Sequence, residues 1–516
     1  MRLLTIPVAL ALSVLCTAYP QPLRQGNAQQ QLAFDSFRPE SHNNDNNNIN
    51  NGYARFDDQQ VLRVEVSSME ELKKLEATVE DKNLDLWSNL RIGTVDVRIP
   101  SSEIAAFKVA IPFPSTVMIP NLQDLLPEQA PALTIQSSSQ GWNYTDDSFW
   151  QSYHDLATLN NFTESMVQQF PELVKRTSMG FTYEGREVFG MTIHGYKRAE
   201  QLEALEALED SVEELVEDVE ELVEEASSWL SWLFGSSSSS KSSKPKIAKK
   251  PSKPKKHPKA IVIHGGQHAR EWIGPAVVSY IAKELILGYG NSKKITRLVD
   301  QFEFTIVPVL NVDGYAYTWE HNRMWRKNRQ PTSIPFCPGI DPNRNWGYKF
   351  ATGGSSANPC SDAYHGPEAF AAKEPKMIAD YVLQKENVVG YIDFHSYSQL
   401  WMTPFGADCS KIPKDDEDIM EAGMGAAKAL KDVHGKKFAV GSVCKIIYQA
   451  SGGSLDWTYA EGGVKYSYAV ELRDTGRHGF LLPEDEILPS SEETFAGVLH
   501  LANFIRKREK QWRYWV

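Results

Sequence analysis

Apolar residues recur along the C-terminal two-thirds of the chain in short runs that each end in polar or ionisable residues. Ala260–Ile263, the stretch FEFTIVPV from Phe302, VVGYIDF from Val388 and YSYAVE from Tyr466 are rich in β-branched and aromatic residues. They read as buried strands. GREVFGMTIHG from Gly185 predicts a further strand. Between these runs, KEPKMIADYVLQKE from Lys373 and EDIMEAGMGAAKALKDV from Glu417 repeat apolar positions at helical spacing. A helix pattern also opens the region, in SFWQSYHDLATLNNFTESMVQQFPELV from Ser148. Strands alternating with helices predict an α/β domain, whose chemistry sits at the carboxyl ends of its strands.

The N-terminal part has a different grain. VLRVEV (from Val61), SMEELKKLEATVE (from Ser68), VDVRIP (from Val95) and SSEIAAFKVA (from Ser101) alternate strand and helix signals, and the helix at 68–80 opens on a capping serine. This predicts a small α+β unit over residues 54–133. The Pro-rich stretch IPFPSTVMIPNLQDLLPEQAPAL from Ile111 reads as connector, with 134–145 as linker and the main domain from 146 to 516.

Two other segments stand apart. Residues 19–53 are Asn- and Gln-rich and too polar to form a core. Residues 199–257 interrupt the main domain. There Leu205, Leu208, Val212, Leu215, Val219 and Leu222 form a coiled-coil-like stripe amid Glu and Asp, and a Ser run and a Lys/Pro tract follow. Like charges four residues apart oppose that helix. The segment reads as a solvated insertion; the competing reading is a docking element anchored by Trp229 and Trp232.

Met1–Ala18 reads as a secretory signal peptide, too short to span a membrane, and no later stretch is apolar enough to do so. A net charge of −12 disfavours nucleic acid as partner. Once Cys16 leaves with the signal, Cys337, Cys360, Cys409 and Cys444 remain, an even number suited to an oxidising compartment, with three pairings open. Sequons at Asn143 and Asn161 fit secretion.

The candidate chemistry centres on IVIHGGQHAREW from Ile261. The two glycines end a strand, and His268 and Glu271 follow at its carboxyl end, spaced so that both can turn towards one zinc ion. Alone, HxxE is as readily a polar turn. His395 and Glu471 stand at the ends of two further predicted strands. None of the twelve histidines begins an HExxH, which excludes the helical zinc-peptidase arrangement.

HARE, NRMWRK, DPNRNW, DFHSYSQ, YQASGGSLDW and ELRDTGRHGFLLP occur in this order between residues 268 and 483. Together they resemble the zinc metallocarboxypeptidases of the pancreatic carboxypeptidase A type, and residues 54–133 resemble that family's activation prodomain. The resemblance implies a mixed eight-stranded sheet between helices and one zinc per chain, held by His268, Glu271 and His395, with Asp341 orienting His268. It implies Glu471 as general base and Arg326 as oxyanion stabiliser. Asn343, Arg344 and Tyr448 would clamp the substrate's terminal carboxylate, and Arg270, Ser396 and Tyr397 would hold the residues upstream. Leu455, where members that prefer basic ends carry an acid, implies an apolar pocket, since an unpaired buried cation is costly. The family also pairs Cys337 with Cys360 and, in some members, Cys409 with Cys444. The expected substrates are peptide or protein C-termini, and the expected state is a secreted monomer, extracellular or in the cell wall, with the vacuole as alternative.

Two departures open a second reading. No Lys or Arg lies between Lys108 and Lys175, so the connector offers trypsin no site. The acidic insertion and Asn-rich leader resemble a fungal branch linked to cell-wall organisation and biogenesis, which contains inactive members that lack the glutamate at position 471. Glu471 is present here. The expectations are therefore an exopeptidase that removes apolar C-terminal residues or, alternatively, an inactive zinc-binding homologue acting in the fungal wall.

Overall fold

A computed structural model describes residues 53–126, 143–195 and 258–513 apart from 89 and 386, with residues 49–50 and a few positions between 219 and 229. The proposed signal peptide, nearly all of the Asn-rich leader and most of the insertion lie outside the described residues. Val219, Leu222, Val223 and Trp229, the described large apolar residues of the insertion, are helical and exposed. Among the described residues no helix is long and apolar enough to cross a membrane.

The N-terminal unit contains β1 (Gln60–Val66), α1 (Met69–Asp81), β2 (Asp85–Leu86), β3 (Gly93–Ile99), α2 (Ile104–Ala110) and β4 (Ser115–Ile119). Its sheet runs β2-β3-β1-β4, all antiparallel. Ser68 caps α1 by accepting from the Glu71 backbone N, while the Glu71 carboxylate accepts from Ser67 N. Leu62, Val64, Val95, Val97, Leu75 and Phe107 close a small core. The Pro-rich stretch is thus not all connector: Ser115–Ile119 pairs with β1 and Leu122–Leu125 forms a 3-10 turn. Prolines flank that edge strand without removing a donor from its ladder.

The main domain follows with α3 (Leu156–Gln169), β5 (Val174–Phe181), β6 (Glu187–Ile193), β7 (Lys259–Gly265), α4 (Ile273–Gly288), α5 (Lys293–Gln301), β8 (Phe302–Val307) and α6 (Val312–Glu320). Then come α7 (Lys373–Gln384), β9 (Val388–His395), β10 (Leu400–Thr403), α8 (Asp416–His434), β11 (Ala439–Ser442), α9 (Ser454–Ala460), β12 (Tyr466–Glu471) and α10 (Ile487–Arg513). The eight-stranded sheet runs β11-β10-β12-β9-β7-β8-β6-β5 and is mixed, parallel across β12-β9-β7-β8. Strand β7 is buried along nearly its whole length, which explains its unbroken apolar run. Strand β5 escapes the sequence reading because its VKRTSMGF carries little apolar alternation and lies at the sheet edge. The helix expected around 148–174 is two elements, a 3-10 turn at Asp147–Gln151 and α3, which Asp155 caps through the Thr158 N. The disulfides are Cys337–Cys360 and Cys409–Cys444. Asn143 and Asn161 are exposed.

The insertion joins β6 to β7 at the sheet edge opposite the carboxyl end of β7. Ile193 and Ile261, on the strands that flank it, both pair with Phe304 and so lie roughly 10 Å apart, two strand spacings. Replacing 199–257 with a short Gly/Ser loop should leave the fold and the site intact. Shortening the loop about eightfold should stabilise the domain by up to about 2 kcal/mol in closure entropy. Thermal unfolding and zinc content of the shortened protein check this, and a lowered Tm would show that the insertion packs on the domain.

Candidate metal and peptide-end site

Register brings the site together. His395, the last residue of β9, pairs with Glu471, the last of β12, and Phe394 pairs with Gly265 at the end of β7. Gly266 turns the chain at φ +62°, and a Cβ on Gly265 would lie 2.9 Å from the Gly274 backbone. Glycines are needed here for the chain to pass over the sheet edge and place His268 and Glu271 beside His395.

The three side chains are buried and their ligating atoms converge within 4.8 Å of one another. His268 Nδ1 lies 2.8 Å from Glu271 Oε1, and His395 Nδ1 lies 2.9 Å from Glu271 Oε2 and 3.1 Å from His268 Nδ1. The outer nitrogens are occupied: His268 Nε2 sits 3.1 Å from Asp341 Oδ1 and His395 Nε2 sits 2.9 Å from Asp393 Oδ2. With protons held there, two bare imidazole nitrogens and a carboxylate face one another. That crowding of lone pairs calls for a cation at the centre, and two nitrogens with one carboxylate oxygen suit zinc while leaving a fourth position open.

Asp341 organises the next layer. It accepts from Asn343 N at 2.9 Å and from Arg326 at 2.9 Å, besides facing His268. Burial would push its carboxyl up, but Arg326 and His268 hold it well below the ordinary range. The same carboxylates hold Arg326 protonated against its burial, its guanidinium 3.7 Å from Glu271. Burial pushes the Glu471 carboxyl up to about 8, against the pull of His395 and with Glu271 adding to the rise. Glu471 Oε2 is buried without a hydrogen-bond partner.

Arg344 is fixed by Gly354 O at 2.9 Å and Asn343 O at 3.0 Å, and it donates to the Tyr448 hydroxyl. Gly452, at φ +68°, comes so close to the Arg344 backbone that a Cβ would collide with it. Asn343 Oδ1 accepts from Ser454 N at 2.9 Å, which leaves the amide NH2 facing His395. Leu455 is buried with Leu400, Met402, Ile447 and Ala469, and Tyr448 packs at the edge of this cluster.

Residues 159–497 match the family model for zinc carboxypeptidases, and residues 62–129 match that for carboxypeptidase activation peptides. The chain belongs to the zinc carboxypeptidase family. It is 34% identical to carboxypeptidase A2 of Mus musculus, over 87% of this chain and 94% of that one. It is 31% identical to the inactive metallocarboxypeptidase ECM14 of Ajellomyces dermatitidis, over 88% of this chain and 73% of that one. The crystal structure of thrombin-activatable fibrinolysis inhibitor aligns with a TM-score of 0.69 at 27% identity, covering 87% of this chain and 99% of that one.

The N-terminal unit lies on the residues expected to receive substrate. Asp85 accepts from Arg270 at 2.9 Å and from Arg98 at 3.0 Å, while Leu86 O accepts from Arg270. Asp96 accepts from Tyr397 at 2.9 Å and from Arg63 at 2.7 Å. Trp87 meets Phe480 edge-on at 5.1 Å. Ser396 is buried, with its N on Glu271 Oε2 and its hydroxyl unpaired. All the expected metal and clamp residues therefore gather at one sheet edge, whereas Arg270 and Tyr397 are engaged by the activation peptide. The sequence reading did not single out Asp393, two residues before His395 and hence on the same strand face, although period-two spacing could have found it. It also passed over Asp85 and Asp96, which as sequence look like any solvated carboxylates.

Proposed function

We propose that the chain is the proenzyme form of a secreted zinc metallocarboxypeptidase that removes apolar C-terminal residues from peptides. The observation that carries this reading is Glu471 in register beside His395, an acid next to the ligand set but outside it. His268, Glu271 and His395 would hold one zinc, which would supply Lewis acidity at the scissile carbonyl and towards the attacking water. Glu471 would take a proton from the water that attacks the scissile carbonyl and pass it to the amine as the C–N bond breaks. Arg326 stabilises charge developing on the scissile carbonyl oxygen. Arg344, with Asn343 and Tyr448, binds the terminal carboxylate through a guanidinium fork, which selects chain ends. The cluster around Leu455 receives the last side chain.

Peptides ending in Phe, Leu or Ile should be cleaved well ahead of those ending in Lys or Arg, and amidated peptides should resist cleavage. Leu455→Asp should raise the ratio of kcat/KM for Arg-ended over Phe-ended peptide, even if desolvating the new carboxylate lowers both rates. A wild type that prefers Arg ends would overturn the pocket assignment.

The second reading is an inactive zinc-binding homologue of the fungal cell wall. The 31% identity to relatives named inactive and the absence of a basic residue from the connector favour it. The presence of Glu471 favours the first.

A further inference from the structure

Behind the zinc site lies a buried carboxylate that the reaction above does not use. Asp393 and His395 leave the same face of β9, and Asp393 is completely buried. Its Oδ2 lies 2.9 Å from His395 Nε2 and also accepts from Ser454 Oγ at 2.6 Å and Gln267 Nε2 at 2.7 Å. Its Oδ1 faces His264 Nδ1 at 3.4 Å, and His264 Nε2 lies 2.5 Å from the Tyr391 hydroxyl. Burying a carboxylate is costly, and here both oxygens face polar or ionisable side chains. The cost calls for a role that only the charge fulfils.

The proton count defines that role. Gln267 spends its carbonyl on Trp346 Nε1 at 3.1 Å, so its amide NH2 points at Asp393. Asn343 Oδ1 is spent on Ser454 N, so the Asn343 NH2 is a donor and cannot hold a proton on His395 Nε2. Asp393 is then the acceptor for that proton. With the proton on Nε2, Nδ1 of His395 is bare and turned towards His268 and Glu271. We propose that Asp393 is the positioning residue of His395, keeping its proton on Nε2 and its Nδ1 free for the metal. The two imidazoles are thus held alike, each backed by its own carboxylate, Asp341 behind His268 and Asp393 behind His395. This inference rests on the zinc reading given above.

Zinc affinity by chelator competition, on the full-length chain, tests it. Asp393→Asn keeps the size and an acceptor oxygen but removes the charge, and should weaken zinc binding by about 10–100-fold. Ser454→Ala removes a different hydrogen bond from the same oxygen and should change zinc affinity less than about threefold. The cobalt-substituted absorption bands should shift in Asp393→Asn and not in Ser454→Ala. If Asp393→Asn does not fold, the zinc-loaded wild type still decides: proton NMR with labelled histidine should place the His395 proton on Nε2, in a downfield, slowly exchanging signal. A proton on Nδ1, an unchanged affinity in Asp393→Asn, or an equal loss in Ser454→Ala overturns the assignment. Absence of zinc from the wild type would overturn the zinc reading and this inference with it.

Discussion

Glu471→Gln should retain zinc and lose turnover. The substitution keeps the shape of a side chain that ends β12 beside His395 but cannot take up a proton. General-base catalysis contributes about 10²–10⁴-fold, or roughly 3–5.5 kcal/mol, so kcat should fall by that factor with KM little changed. Burial pushes the native carboxyl up to about 8. A divalent cation on the neighbouring ligands would oppose that shift, so the proposed base would act in the zinc-loaded form. His268, Glu271 and His395 are untouched, and the metal content of the variant should match the wild type. Equal kcat in both proteins would remove Glu471 from the reaction. Loss of zinc would make it a ligand instead.

Freeing the groove should have the opposite effect. Asp85 holds Arg270 and Asp96 holds Tyr397, so, with the roles proposed for those two residues, the folded N-terminal unit would compete with substrate for them. Truncating one partner of a buried charge pair costs about 2–5 kcal/mol in binding. Asp85→Ala should therefore loosen the unit by about 30-fold or more and raise kcat/KM of the full chain. Cutting within 127–142 at an engineered protease site should raise it further. Trypsin has no site there, since residues 109–174 lack Lys and Arg, and should nick the Lys-rich tract at 241–259 first. Mild acid should not release the unit. Burial raises the Asp85 carboxyl, but Arg270 and Arg98 outweigh it and hold it below the ordinary value. A depressed pKa means that the contact is fully present above about pH 4 and is lost only as pH falls through the lower docked value. Activity tracked by N-terminal sequencing and by pH titration of the full chain separates these cases. Release at pH 5 would show that another contact controls docking.

What the sequence disclosed follows from where its information is local. The end-of-strand placement of His268, His395 and Glu471 was legible because buried parallel strands read as apolar runs and their last residues mark the sheet edge. The roles proposed for Asn343, Arg344 and Tyr448 are not legible from composition or spacing, since isolated polar residues resemble surface, and they rest on the ordered motifs. Strand β5 was missed because an edge strand need not alternate. Ser115–Ile119 was missed because its flanking prolines looked like a connector, and only pairing with β1 makes it a strand. The contacts of Asp85 and Asp96 join residues about 185 and 301 positions apart, a separation that no local pattern encodes.

The most direct measurement is release of C-terminal phenylalanine from a short peptide by the zinc-loaded protein after removal of the N-terminal unit, beside its Glu471→Gln counterpart. Steady turnover by the wild type, its loss in the variant and equal zinc in both are the predicted result. No turnover by the wild type with zinc bound would contradict the catalytic reading and leave the inactive homologue in its place.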